Sequence, residues 1–163
     1  MIKQILIIAT SLALFGCSGN FSKGVKKDLS TGLSAAYNGF SINEIQMMVD
    51  GQRSTNNKVV LGKKVMIVAT DVDYFAVDNG KVFPGCSIIL SDKSGKELLN
   101  LPDAFEHLND GISANEASTL QAELNTGEPM IVGEKYLLKV RFYDKRKKEN
   151  EIKAEVIIEV AGA

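Results

Sequence analysis

Acidic and aromatic side chains gather in the segment TDVDYFAVDNGKVFPG, residues 70–85. It contains three aspartates and two neighbouring aromatic residues: Asp71, Asp73, Asp78, Tyr74 and Phe75. Carboxylate oxygens are ligands that Ca²⁺ prefers, so the aspartates are candidate metal ligands, although their spacing differs from that of an EF-hand loop. The two aromatic rings are candidate ligand contacts. The alternative for the aspartates is hydration at a loop, and for Phe75 it is a place in the core. We expect no cofactor.

Groups that could catalyse a reaction are few. His107 is the single histidine, and it lies in the polar stretch EHLNDG with no second histidine to share a metal. Asp71 and Asp73 point to the same face if their segment is extended, so they could act together as an acid and a base. The sequence supplies no recognisable general acid to work with them, and no nucleophile elbow of the Gly-x-Ser-x-Gly type is present. We therefore expect a non-enzymatic protein, with a hydrolase as the alternative.

The two cysteines have different surroundings. Cys86 begins an alternating apolar run with Ile88 and Leu90, which predicts a buried side chain that acts as a small hydrophobe. Cys17 directly follows an apolar run near the amino end. If the Cys17 thiol forms another covalent bond, Cys86 has no partner for an intramolecular disulfide and the protein has no disulfide framework.

The segments that must position these groups show apolar and polar side chains that alternate with a period of two. Residues 151–160, EIKAEVIIEV, and residues 136–144, YLLKVRFYD, both alternate apolar and polar side chains. This pattern predicts two strands with one buried face each, paired as an antiparallel hairpin. The connecting stretch holds four consecutive basic residues, 145–148, which indicate a solvated tip or, alternatively, a contact with anionic headgroups.

Further strands are predicted at 33–40, 44–49, 63–70, 85–91, 97–101 and 121–125, separated by Asn-Gly, Asp-Gly and Ser-Gly turns. Ser113 and Glu116 have the spacing of a capping box, which predicts a short helix over 114–120. Seven to nine strands with one short helix predict an all-β fold, an antiparallel β-sandwich of immunoglobulin-like architecture. A small closed β-barrel is the alternative. Residues 33–163 are expected to form this single domain.

The amino end has the layout of a secretory signal peptide. Lys3 precedes an apolar run over residues 5–15, which is shorter than the 20 or so residues that cross a bilayer. The tetrapeptide Leu14-Phe15-Gly16-Cys17 resembles the lipobox of bacterial lipoproteins. The resemblance implies that residues 1–16 are removed and that Cys17 becomes the lipidated first residue, carrying acyl chains such as palmitate. Residues 17–32, rich in Gly, Ser and Lys, are expected to form a flexible tether.

The charge balance narrows the choice of partner. The chain carries 19 basic and 20 acidic side chains, which argues against a nucleic-acid partner. We expect a lipid-anchored, non-enzymatic lipoprotein of the bacterial cell envelope, which binds the membrane through its anchor and an unknown envelope protein or glycan through its domain. Ser18 after the cysteine resembles lipoproteins sent to the outer membrane. The alternatives are an envelope hydrolase and a calcium-dependent adhesion module that uses the 70–85 loop.

Overall fold

The computed structural model describes residues 22–162, which form two packed β-sheets. The strands are β1 Lys23–Lys27, β2 Ser34–Asn38, β3 Glu44–Val49, β4 Gln52–Arg53, β5 Lys58–Val60, β6 Lys64–Thr70, β7 Pro84–Ser91, β8 Glu97–Leu101, β9 Thr119–Asn125, β10 Lys135–Asp144 and β11 Glu151–Ala161. The larger sheet has the order β1-β2-β11-β10-β7-β8, with β5 beside β11, and the smaller sheet has the order β4-β3-β6-β9. The sheets do not close into a barrel, so the predicted β-sandwich is confirmed and the barrel alternative is wrong.

The predicted hairpin forms the centre of the larger sheet. β10 and β11 pair antiparallel along nearly their whole length, from Lys135 opposite Glu159 to Tyr143 opposite Glu151. Every second residue of both strands is buried: Tyr136, Leu138, Val140, Phe142, Ile152, Ala154, Val156, Ile158 and Val160. These side chains face the inward residues of the smaller sheet, such as Met47 and Ile67, and together they make the core.

Three strands were not predicted, which is why the described residues hold eleven strands rather than seven to nine. The two-residue β4 and the three-residue β5 are too short for a periodic pattern to show. β5 is also the one strand of the described chain that pairs in parallel, with Lys58 opposite Glu159 of β11. The third is β1, in the segment expected to be a tether.

The tether prediction is wrong for residues 23–32. Lys23–Lys27 pairs antiparallel with β2, from Lys23 opposite Asn38 to Lys27 opposite Ser34. The turn that follows is closed by Asp28, whose carboxylate accepts hydrogen bonds from the Ser30 backbone N–H and hydroxyl and from the Thr31 hydroxyl. β1 lies at a sheet edge and is largely exposed, so its sequence carries no apolar alternation. The predicted signal peptide, Cys17 and the first tether residues lie outside the described residues.

The predicted helix over 114–120 is also wrong. The capping box forms, since the Ser113 hydroxyl lies 2.7 Å from Glu116 Oε2 and the Glu116 backbone N–H donates to Ser113 Oγ. It caps only a 3₁₀ turn, Glu116–Ser118, because β9 begins at Thr119 and pairs along its length with β6. The burial of alternate residues of β9 and its hydrogen bonds with β6 therefore outweigh the tendency of the capping box to start a helix. A second 3₁₀ turn spans Glu106–Leu108.

Candidate functional site

The loops over residues 71–83, 102–118 and 145–150 lie at one end of the sandwich, which we call the loop end. The three aspartates predicted as metal ligands are there but do not come together. Asp73 Oδ1 accepts from the adjacent Tyr74 backbone N–H at 2.7 Å, and Asp78 pairs with Arg146 at 3.4 Å. Within residues 22–162 no three acidic, histidine or cysteine side chains form a group able to hold a metal.

The two predicted aromatic contacts separate. Phe75 packs against the buried Phe40, with ring centroids 4.6 Å apart, and so belongs to the core. Tyr74 is 43% exposed and has φ +75°, a left-handed backbone angle that side chains other than glycine rarely adopt. Of the two aromatic side chains, only that of Tyr74 is exposed to solvent.

Two buried polar residues, which the sequence did not indicate, hold the Tyr74 segment in place. Asp144 is fully buried and accepts from the Ala76 backbone N–H at 2.6 Å and the Arg146 backbone N–H at 2.8 Å. Asn150 is 1% exposed and donates through Nδ2 to the Tyr74 carbonyl at 2.7 Å. In the sequence both residues border a highly charged stretch, which would predict side chains exposed to solvent. Their roles depend on contacts across more than 60 residues, which no local pattern carries.

Lys145 is drawn into the protein rather than left at the tip. Its Nζ lies 2.7 Å from Asp103 Oδ2, 3.0 Å from the Phe105 carbonyl and 2.6 Å from Asn109 Oδ1. Burial acts to raise the pKa of Asp103, but hydrogen bonds from Lys145 and from the backbone N–H groups of Cys86 and Phe105 outweigh it and lower that pKa. The arrangement is a structural clamp between two loops of the loop end.

The remaining candidates for chemistry are Cys86 and His107. Cys86 is completely buried, as predicted, and desolvation with the nearby Asp103 charge raises its pKa to about 12. Its thiol is therefore not a nucleophile at neutral pH. His107 is exposed in the 3₁₀ turn, with its ring 6.3 Å from that of Phe105. The described residues bring no other titratable group to it by hydrogen bond or ion pair.

A concave surface crosses the outer side of the larger sheet, on the face away from the core. A depression of about 560 Å³ lies over β7, β10 and β11, and another of about 350 Å³ adjoins it toward the loop end. Ile89 and Lys139 line both depressions. We name the combined central surface the outer-face groove, formed by Ser87, Ile89, Ser91, Leu137, Lys139 and Ile157. The groove exists because small residues of β7 stand beside longer side chains of β10 and β11 in the same register.

The groove combines apolar surface with one available positive charge. Ile157 is 52% exposed and lies opposite Leu137, which is half-buried. Lys139, between Ile89 and Glu155 in the register, has no carboxylate within ion-pair distance among residues 22–162. Such a surface can take an extended ligand that offers an apolar side and an acidic or hydrogen-bonding group.

Charges nearer the loop end neutralise one another. Glu151 accepts from Arg141 Nε at 2.6 Å and from Lys153 Nζ at 2.5 Å, while the Arg141 guanidinium lies 4.6 Å from the centre of the Tyr143 ring. Burial acts to raise the pKa of Glu151, but these hydrogen bonds from Lys153 and Arg141 lower it below its usual value. Arg141 and Lys153 are thus occupied, which leaves Lys139 as the groove's cation for a ligand.

The fold defines the chain as an antiparallel β-sandwich domain, and comparison with known proteins agrees. No family model and no curated protein matches the sequence. Among solved structures, the chain is similar to the C-terminal domain of Wzt, with a TM-score of 0.50 over 88% of this chain and 80% of that chain. The two sequences are 10% identical, so the similarity establishes the fold alone. No helix within residues 22–162 has the length and apolar character needed to cross a membrane.

Proposed function

We propose that this protein is a lipid-anchored, non-enzymatic lipoprotein of the bacterial cell envelope that acts as a binding or structural module. The observation that carries the proposal is the tetrapeptide Leu14-Phe15-Gly16-Cys17 behind a short apolar run. A thiol at this position can carry a diacylglyceryl group, and the freed amino group can take a further acyl chain. Each buried CH₂ contributes about 0.8 kcal/mol, so two or three chains hold a protein without a spanning helix.

The outer-face groove supports a binding role. It lies on the rigid centre of the larger sheet, where β10 is paired on both sides. An envelope protein or glycan of extended shape could lie across β7, β10 and β11, with Ile89, Leu137 and Ile157 contacting its apolar side and Lys139 an acidic group. The residue after the cysteine, Ser18, favours the outer membrane as the location.

Replacing the acylated thiol tests the anchor. Cys17→Ser should leave the precursor unprocessed or release the protein from the membrane fraction, because a serine hydroxyl cannot form the thioether. The measurement is fractionation with immunoblotting, together with the mass of the mature amino end. Cys86→Ala is the matched control, since it removes the other cysteine from a buried site. If the Cys17→Ser protein is processed and retained like the wild type, the anchor is disproved.

A further inference from the structure

The described chain begins beside the basic β10–β11 tip. The Ser22 carbonyl accepts from the Gly39 backbone N–H at 2.7 Å, and Lys23 stands opposite Asn38. Asn38 Nδ2 in turn donates to the Glu149 carbonyl within the tip at 2.7 Å. β1, β2 and β11 are adjacent strands, so the start of the described chain lies about 10 Å, two strand spacings, from the tip.

The chain between the proposed anchor and this point is short. Five peptide units join Cys17 to Ser22, and a fully extended chain of that length covers at most about 18 Å. The opposite end of the sandwich lies one length of β10 away, about 30 Å for ten residues. Because β1 takes up residues 23–27, the anchor holds the loop end near the lipid surface and keeps the opposite end away from it.

The loop end presents two free cations on its larger-sheet side. Lys147 and Lys148 are exposed at the tip and have no carboxylate within ion-pair distance among the described residues. Arg146 is exposed beside them, 4.1 Å from the centre of the Phe83 ring and 3.4 Å from Asp78. Glu149 is the one acidic residue between Lys145 and Asn150.

Two exposed apolar side chains accompany these cations. Val77 is 66% exposed, and it lies next to Ala76, whose backbone N–H is bound to Asp144 at the base of the tip. The hydrogen bond from Asn150 to the Tyr74 carbonyl holds Tyr74 in its left-handed backbone angle. Such a strained angle persists only where the surrounding structure fixes it. We name the set Tyr74, Val77, Arg146, Lys147 and Lys148 the docking tip. Asp73 adjoins Tyr74, and its Oδ1 accepts from the Tyr74 backbone N–H at 2.7 Å.

We propose that the docking tip rests on the anionic headgroup surface of the membrane in which Cys17 is anchored. Lysines near such a surface are attracted to it, and tyrosine rings prefer the headgroup level of a bilayer. The contact orients the sandwich upright, so that the outer-face groove stands beside the membrane and is open to the side. This inference rests on the proposed lipid anchor.

The test uses the processed, lipidated protein in vesicles of phosphatidylcholine with about 30 per cent phosphatidylglycerol, and in vesicles of phosphatidylcholine alone. A fluorophore is attached at Val77→Cys, or at Ser94→Cys in the opposite turn as the control, and quenching by lipids labelled near the headgroup is measured. Cys86 is buried with its pKa raised to about 12 and Cys17 is acylated, so only the introduced thiol reacts. Flotation with neutral vesicles reports the anchor separately.

The expected result is strong quenching at position 77 in anionic vesicles, weak quenching there in neutral vesicles, and none at position 94 in either. Lys147→Gln with Lys148→Gln should lower the ratio of docked to undocked protein about 30-fold, which corresponds to about 1 kcal/mol for each lysine. Lys93→Gln with Lys96→Gln, at the opposite end, should leave it unchanged. Equal quenching at positions 77 and 94, or quenching at 77 that ignores lipid charge, would overturn the inference even if the protein floats. Failure to float would instead count against the anchor.

Discussion

Gly39 and Asn150 show how one residue fixes another at the loop end. Asn150 Oδ1 is buried without a hydrogen-bond partner among the described residues, and it lies directly against the Cα of Gly39. A side chain at position 39 would overlap this oxygen. Gly39 also has φ +74°, which glycine alone adopts at low cost. The position therefore requires glycine for two independent reasons.

Replacing this glycine should destabilise the protein strongly. We expect Gly39→Ala to lower the free energy of unfolding by roughly 3–4 kcal/mol, from the strained backbone angle and the overlap together. Gly32→Ala is the matched control, because Gly32 has φ +76° but nothing within 4 Å of an added Cβ. It should cost only about 1–2 kcal/mol. Urea unfolding of both variants measures the difference, and equal losses would show that the contact with Asn150 contributes nothing.

The Asp103–Lys145 pair gives stability a defined dependence on pH. The pKa of Asp103 is lowered in the folded protein from 3.8, so its contribution is present above that pH and is lost as the pH falls through the lower folded value. Asp103→Asn should lower the free energy of unfolding by about 1 kcal/mol at pH 7. This difference should shrink progressively below pH 3.8.

Urea unfolding across that pH range tests this prediction. Glu106→Gln removes the same charge from a nearby exposed position that makes no ion pair, so it should match the wild type at every pH. A deficit in Asp103→Asn that stays constant down to acid pH would exclude the ion pair as its cause.

At the scale of elements, hydrogen exchange can test whether residues 23–27 form the paired strand β1 or a flexible tether. Its backbone pairs with β2 over five residues, and Gly24 lets the Tyr37 ring lie over it, since any Cβ at that position would overlap the ring. Hydrogen exchange of a peptide covering β1 should be slowed roughly tenfold or more relative to residues 145–149. Gly24→Val should remove this protection. If β1 of the wild type exchanges at the rate of an unfolded chain, the segment is a flexible tether rather than a strand.

The sequence predicts the features that depend on neighbouring residues, and it does not predict those that depend on contacts between residues distant in the chain. β10 and β11 are long and half-buried, so strict alternation located them and their hairpin partnership. The exposed edge strand β1 carries no such alternation, and the capping box at Ser113 could not show that β9 would begin six residues after Ser113. The burial of Asp144 could not be predicted for a related reason, because the hydrogen bond that ties it to the Tyr74 segment comes from Ala76, which is 68 residues away.

At the scale of the whole molecule, the outer-face groove should depend on its single available cation. We expect Lys139→Gln to reduce recovery of the natural ligand about tenfold when the lipidated protein is purified from native membranes, since a hydrogen bond to a charged group contributes about 1.5–3 kcal/mol. Lys96→Gln removes a lysine from the exposed turn after β7 and should recover ligand normally. Comparable recovery by both variants would place the binding surface elsewhere.

The place of β11 decides when this molecule can fold. It is the most C-terminal strand of residues 22–162, yet it stands in the middle of the larger sheet and joins β2 and β5 on one side to β10 on the other. A nascent chain that ends before Glu151 has no strand to unite these halves, and pairings so distant in sequence form slowly. The amino end thus emerges during synthesis well before the domain can close, and any factor that recognises it meets an unfolded chain.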